Sequence, residues 1–298
     1  MNSIFYSLND YLRKKFNERV RKISINAGFN CPNRDGLKGF DGCIYCNNKA
    51  FVSAVETNIK EQVKFGIERL KKQGINKYII YFQAYSNTYG SIGDIKSKIN
   101  ESLIDNGIVG IHIGTRPDTV DEEKLSYLKS LAGKYDIFIE YGLQSKHNET
   151  LGLINRGHSL EDFEKAFYMT KKMQLKTCVH IILGLPGESK SMMLETVSYL
   201  GGLGVDSIKF HHLQIVKDTL LEKMYYNNKV HLINEDEYID ILSESIARLP
   251  DNVIIARLSG TSKSELLIAP DWPSSAGAFT QKLQKFMVAK QLYQGKYK

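Results

Sequence analysis

No apolar run in this sequence approaches the roughly 18–20 residues that a helix needs to span a bilayer. The opening stretch, MNSIFYSLNDYLRKKF, lacks both an apolar h-region and a small-residue cleavage site. Membrane insertion and secretion are therefore not expected, and the expected location is cytoplasmic. Cysteine is scarce, with four residues in 298. Three of the four fall between positions 31 and 46. In such a compartment that clustering points to metal or redox chemistry rather than structural disulfides. Internal repeats and low-complexity tracts are also missing.

Acidic residues are absent from Trp272 to Lys298, where Lys282, Lys285, Lys290, Lys296 and Lys298 are interleaved with Trp272, Phe279, Phe286, Tyr293 and Tyr297. A second basic cluster comprises Arg13, Lys14, Lys15, Arg19, Arg21 and Lys22, within a net charge of +7. Such clusters neutralise nucleic-acid phosphates while aromatic rings stack on unpaired bases. The alternative is a solvated lysine-bearing helix whose aromatics dock on the body of the protein.

With 42% hydrophobic and 24% charged residues, the chain has the composition of a folded globular protein. Its length suits one α/β barrel-sized domain with a short appendage, or two ordinary domains. Strand-like runs at Lys22–Ala27, Lys77–Gln83, Ile108–Thr115, Asp136–Leu143, Lys176–Leu183 and Asp206–Gln214 are rich in Ile, Val, Tyr or Phe. Helix-like segments alternate with them at Ile59–Gln73, Ile92–Asn106, Asp121–Gly133, Leu160–Gln174 and Ser189–Gly201. Ser159 with Asp162 reads as a helix start, and Gly133 and Gly201 read as stops. Six βα units in a row imply a parallel sheet, barrel or doubly wound, with ligands at the C-terminal strand ends. After about Asn227 the pattern changes to a helix (Glu235–Leu249) and a short strand (Val253–Leu258). The expected division is a basic segment over 1–20, a core over 21–227 and a C-terminal extension over 228–298.

Directly after the first strand comes Cys31-Pro-Asn-Arg-Asp-Gly-Leu-Lys-Gly-Phe-Asp-Gly-Cys43-Ile-Tyr-Cys46, a C-x11-C-x2-C spacing. An iron–sulfur cubane held by three cysteines keeps one iron open to an outside chelator. Zinc is the competing metal. A structural zinc site wants a fourth Cys or His, yet no histidine lies between Cys31 and Cys46; the nearest is His112, and Cys178 is distant. A loop can borrow a remote ligand, so zinc stays open on the residues alone.

The cysteine loop and several strand-end motifs resemble the radical S-adenosylmethionine (SAM) superfamily, in particular its Elp3-like branch and the YhcC/YtqA group. The motifs are CPNRDG (Cys31–Gly36), YFQAYSNTY (Tyr81–Tyr89), TRPD (Thr115–Asp118), EYGLQS (Glu140–Ser145), NRGH (Asn155–His158) and HIILGLPGE (His180–Glu188). The resemblance implies a partial (β/α)6 barrel open on one side, with a small C-terminal extension. It also implies a [4Fe–4S] cluster on Cys31, Cys43 and Cys46, whose open iron is chelated by the amino and carboxylate groups of SAM. Two departures stand out. The superfamily's commonest spacing is C-x3-C-x2-C, and its Gly-rich GGE segment is here replaced by Gln83-Ala84-Tyr85-Ser86-Asn87-Thr88.

Within that resemblance Tyr45 is expected beside the adenine, and Gln83, Tyr85 and Asn87 near the methionyl end. Glu140 and Gln144 share one face of their strand. Glu140 is expected at the SAM ribose or amine, the alternative being a salt bridge to Arg156 or Arg116. Arg156 is expected to hold the SAM carboxylate through its fork. Ile182 is expected to face the cofactor, and Gly184 to let the adenine approach the backbone. Cys178 and His180 share the parity of Ile182, which makes them candidates for hydrogen-atom donor and proton shuttle. The alternative for Cys178 is inert core. His211 and His212 point opposite ways, so at most one is lumenal.

The Elp3 resemblance implies chemistry on the C5 side chain of tRNA wobble uridine, for instance conversion of the 5-carboxymethylaminomethyl form to the aminomethyl form. Expected partners are tRNA as substrate, an electron donor such as flavodoxin or ferredoxin, and a methyltransferase acting downstream. Two alternatives remain: a radical SAM enzyme acting on a small metabolite or protein side chain, and a non-enzymatic zinc protein that binds RNA.

Overall fold

The computed structural model describes residues 4–50, 58–272 and 274–298. In chain order the elements are α1 (Leu8–Phe16), β1 (Val20–Ile25), α2 (Ile59–Lys71), β2 (Lys77–Phe82), α3 (Ile92–Ser102), β3 (Ile108–Thr115), α4 (Glu122–Leu131), β4 (Asp136–Gln144) and α5 (Asn148–Leu153). There follow α6 (Leu160–Lys172), β5 (Lys176–Leu183), α7 (Lys190–Leu203), β6 (Ser207–His212), β7 (Ile215–Val216), α8 (Leu220–Tyr226), α9 (Glu235–Arg248), β8 (Ile254–Arg257), β9 (Leu267–Ala269) and α10 (Ala276–Ala289).

Seven parallel strands form one sheet in the order β1-β2-β3-β4-β5-β6-β8. The order follows the chain because each strand is fed by a helix that crosses back over one face. The first and last strands do not pair, so the curled sheet is a partial barrel open between β1 and β8. The expected strand at Val253–Leu258 forms as β8 and takes the seventh place, beside β6. The sixth strand ends at His212 rather than Gln214; the chain then turns into β7, which pairs antiparallel with β9.

Helix spacing dictates the outer layer. In α2 the residues Ile59, Val63, Ile67 and Leu70 all bury against the sheet, each such side chain contributing roughly 1.5–3 kcal/mol. Ser159 and Asp162 close a reciprocal capping box on α6, as the sequence anticipates. The stop expected at Gly201 is displaced: α7 runs on to Leu203 and ends on Gly204, whose φ of 78° is the left-handed cap that glycine adopts without penalty.

The N-terminal basic segment, described from Ile4 onward, supplies α1 as a plug under the barrel. Tyr6 O accepts from Ile255 N at 2.8 Å. Tyr11 and Lys15 of α1 bond the buried carboxylate of Asp136, which Lys176 of β5 also meets at 2.5 Å. At the other end of the chain, Trp272 stacks on His212 at 3.9 Å, and Phe279, Leu283 and Met287 of α10 enter the core. Lys282 pairs with Glu235 and Asp236. Part of the basic aromatic tail is therefore docked, while Lys285, Lys290, Tyr293 and Tyr297 stay exposed. No helix among the described residues is long and apolar enough to cross a membrane.

Candidate cluster and cofactor site

The loop after β1 brings Cys31, Cys43 and Cys46 to one wall of a cavity of about 230 Å³ at the C-terminal strand ends. That is more than ten times the ~10–15 Å³ that one water needs. The cysteine loop is braced from the turn after α5. Asn33, 1% exposed, donates from Nδ2 to the carbonyls of Asn155 (2.8 Å) and Arg156 (3.0 Å). Asn155 Nδ2 in turn donates to Gly42 O at 2.7 Å. Arg34 bonds the Cys46 carbonyl from within the loop. Thus CPNRDG and NRGH, far apart in sequence, are one structural unit.

The other motifs are braces of the same kind. Arg116 forms a fork on Asp118 (2.9 and 2.8 Å) and donates to Arg156 O at 2.7 Å. Ser86, Thr88, Thr115 and Thr119 form a buried hydroxyl network that joins the β2 end to the β3 end.

The donor set suits a cluster. Arg156 Nη1 lies 3.5 Å from Cys43 Sγ, and Asn48 Nδ2 lies 3.8 Å from Cys46 Sγ. Burial pushes the Cys46 thiol up to about 11, and the neighbouring Cys43 sulfur adds to the rise. Three thiolates crowded in this way need a cationic core between them. Among the described residues, only Glu140, Cys178 and His180 form a trio of ligand atoms lying within 4.8 Å of one another. The loop thiols are no part of that trio. Nor does that trio suit a cation, because Lys22 and Lys209 already contact the Glu140 carboxylate.

Glu140, Tyr45, Gln83, Tyr85, Gln144, Arg156, His180 and Ile182 line the cavity with the cysteines. Asn87, Gly184 and Cys178 do not. Asn87 turns its amide back onto the carbonyls of Phe82, Ala84 and Gly114, which shapes the loop. Gly184 lies under Ile233. Cys178 sits one layer deeper, in an apolar cluster with Phe138 and Ile254. The Arg156 fork is spent on Gly142 O, at 3.1 and 2.6 Å.

Beneath the cavity Glu140 accepts four bonds. Oε1 takes Lys22 Nζ (2.9 Å) and His112 Nδ1 (2.8 Å); Oε2 takes His180 Nε2 (2.9 Å) and Lys209 Nζ. The anticipated alternative partners, Arg156 and Arg116, are not among these. Burial would raise this carboxyl, but Lys209 and Lys22 overcome it and hold it well below the usual range. Burial holds His112 and His180 down at about 4, with Lys22 and Lys209 adding to it at His112 and Lys209 and Arg257 at His180. Both imidazoles are therefore neutral at pH 7 and donate to Glu140, which leaves Nδ1 of His180 as a bare acceptor. Tyr81 tolerates the two ammonium groups over its ring, Lys209 at 4.2 Å and Lys22 at 4.8 Å. Sequence reading missed Lys22, His112 and Lys209, although a lysine or histidine amid an Ile-rich strand is itself a signal of a polar lumen.

This fold and site define a radical SAM protein. The chain belongs to the Radical SAM superfamily, whose model matches residues 25–200, followed by a Radical_SAM C-terminal domain over residues 205–289. It is accordingly an enzyme that cleaves SAM reductively, with a [4Fe–4S] cluster and SAM as its cofactors. Within the superfamily it falls in the YhcC/YtqA-type group. It is 36% identical to MJ0486 of Methanocaldococcus jannaschii over 276 residues, covering 90% of this chain and 84% of that one. It is 32% identical to YtqA of Bacillus subtilis over 299 residues (98% and 92% covered) and 33% identical to YhcC of Escherichia coli K12 over 264 residues (88% and 85% covered). A "tRNA uridine(34) acetyltransferase" of Methanocaldococcus infernus is 28% identical over 188 residues, which is 62% of this chain and 34% of that protein. The solved structure of Elp3 from the same archaeon shares the fold at a TM-score of 0.72 and 20% identity, covering 92% of this chain and 64% of that one.

Proposed function

We propose that this enzyme remodels the C5 side chain of the wobble uridine of tRNA, for example by removing the carboxymethyl group from 5-carboxymethylaminomethyluridine: its CH2 carbon is oxidised by two electrons at the expense of SAM, and water hydrolyses the resulting imine to glyoxylate and the aminomethyl form. In this reading Cys31, Cys43 and Cys46 would hold the cluster, with SAM bound beside it in the cavity. The bound pair supplies a 5′-deoxyadenosyl radical, the group that abstracts hydrogen from a substrate. Tyr45 and Ile182 flank the adenosine, with Gly184 shaping the turn behind it. Gln83, Tyr85 and Gln144 offer polar contacts, while Asn87 and Arg156 act mainly by holding the loops. Glu140 orients His180. Cys178 stays a hydrogen-atom donor candidate only if the lumen opens to its layer.

The observation that carries the reading is the cavity of about 230 Å³ itself, with three thiols and a row of polar side chains in its lining. Similarity to a protein named for tRNA uridine 34 supports the substrate, and the exposed lysines of the C-terminal tail suit a polyanion. Modified nucleosides from a gene-deletion strain test it: loss of the aminomethyl-derived nucleoside with build-up of its carboxymethylaminomethyl precursor is expected, and an unchanged profile refutes it.

A further inference from the structure

Among the described residues that line the cavity, one arginine stands outside the hydrogen-bond and ion-pair network. Arg257, the last residue of β8, lines the cavity beside Tyr81, His180 and His211. Strand register explains how it comes to be there. Ile208 pairs with Ile255, but the next residue, Lys209, pairs with Arg257, a bulge at Ala256. Ile254 and Ala256 belong to the apolar floor, so a regular strand would turn position 257 away from the lumen. The bulge re-aims it.

Arg257 differs from the other arginines around the cavity. Arg34, Arg116 and Arg156 all donate to carbonyls or carboxylates. Among the described residues no hydrogen bond or ion pair engages the half-buried Arg257 guanidinium. Its donors are not among the buried polar atoms that lack a partner, so they open to the cavity, where water solvates them until a ligand meets them. The charge count points the same way. Lys22 and Lys209 share the carboxylate of Glu140, the one carboxylate among the described residues of the cavity lining, and Arg257 adds a third positive charge to the same cavity. The excess positive charge lies under a cavity, where a small anion would balance it. His211, on the same wall, has a buried Nε2 with no partner.

Depth sets the ligand apart from SAM. Gly142, His180, Lys209 and Arg257 form one register row across β4, β5, β6 and β8. Ile182 and the cysteine wall stand nearer the strand ends. We propose that Arg257 anchors a carboxylate of the substrate, below the cofactor, through its planar fork. The inference rests on the wobble-uridine reading for the identity of that carboxylate, the carboxymethyl group, which resembles N-linked glycine. It adds the residue that selects it.

The test uses anaerobically reconstituted holoenzyme with SAM and, as probe, N-methylglycine carrying ¹³C in its carboxyl, titrated by NMR. Saturable binding is expected for the wild type. Arg257→Gln is expected to weaken it about ten- to a hundred-fold, the value of charge-assisted hydrogen bonds, and Arg257→Lys to recover part of it. Iron content and circular dichroism establish that each variant is folded. Equal binding by wild type and Arg257→Gln, no binding by the wild type, or displacement of the probe by equimolar inorganic phosphate would overturn the proposal. With carboxymethylaminomethyl-bearing tRNA as substrate, Arg257→Gln is expected to raise KM by a similar factor. Probe binding through Arg257 without any change in tRNA would leave the carboxylate site standing and remove the wobble-uridine reading. Altered tRNA with an unchanged KM in Arg257→Gln would do the reverse.

Discussion

Asn33 Oδ1 lies 2.2 Å from where a Cβ on Gly157 would fall, so the cysteine loop and the NRGH turn interlock at a point that admits only glycine. The φ of 69° at Gly157 reinforces the requirement. Gly157→Ala is therefore expected to cost roughly 1–3 kcal/mol locally and to displace Cys43. Iron per chain after anaerobic reconstitution checks this, and undiminished iron would show the interlock to be dispensable.

The three loop cysteines should act as a set. Cys31→Ala, Cys43→Ala and Cys46→Ala are each expected to abolish the four-iron visible absorption, because a cubane on two thiolates is poorly held. Cys178→Ala should keep its iron, since Cys178 lies in the apolar layer with Phe138 and Ile254. Loss of metal in Cys178→Ala would make it the borrowed fourth ligand of a zinc site.

Breaking the Glu140 network should destabilise the barrel strongly. Glu140→Gln leaves two ammonium groups facing a neutral amide, an expected loss of about 3–5 kcal/mol. Replacing Glu140, Lys209 and Lys22 together by Leu, Met and Met should recover much of it. Urea midpoints of the three proteins make the comparison.

Acid should unfold the protein earlier than its carboxylates alone would require. His112, His180 and His212 titrate at about 4 in the folded chain because burial disfavours their charged forms. Their unfolded value is about 6.5. The unfolded state thus binds more protons between these limits, so stability is full above pH 6.5 and falls as pH drops towards 4. A loss on the order of a few kcal/mol over that window is expected from chemical denaturation at several pH values. A flat profile there would mean that the imidazoles are already charged in the fold.

The tail lysines that remain exposed should carry RNA affinity. Lys285→Glu with Lys290→Glu is expected to weaken tRNA binding and to lower the salt slope by about one for each phosphate no longer neutralised. An unaltered slope would assign these residues to solubility alone.

The strands and most helices were legible because Ile- and Val-rich runs alternate with helical repeats such as Ile59, Val63, Ile67 and Leu70. Cys31, Cys43 and Cys46 were legible as a spacing. Strand parity also put His180 and Ile182 on the cavity wall. Less was visible wherever a partner had to be supplied by distant chain. Nothing local says that Asn33 braces on Asn155 and Arg156, or that Lys22 and Lys209, 187 positions apart in the numbering, meet on one carboxylate. Arg257 was hidden for a different reason: simple alternation points it away from the lumen, and only the bulge opposite Lys209 brings it in. The Gly201 stop failed because Gly201 serves close packing, a Cβ there falling 3.1 Å from Pro250, while the left-handed cap is formed by Gly204.

The most direct test is anaerobic incubation of the reconstituted enzyme with SAM, a low-potential reductant and tRNA bearing carboxymethylaminomethyluridine, followed by nucleoside mass spectrometry. The account predicts 5′-deoxyadenosine together with aminomethyluridine. Formation of 5′-deoxyadenosine with every nucleoside unchanged would contradict the substrate, and a colourless zinc-containing protein would contradict the chemistry as a whole.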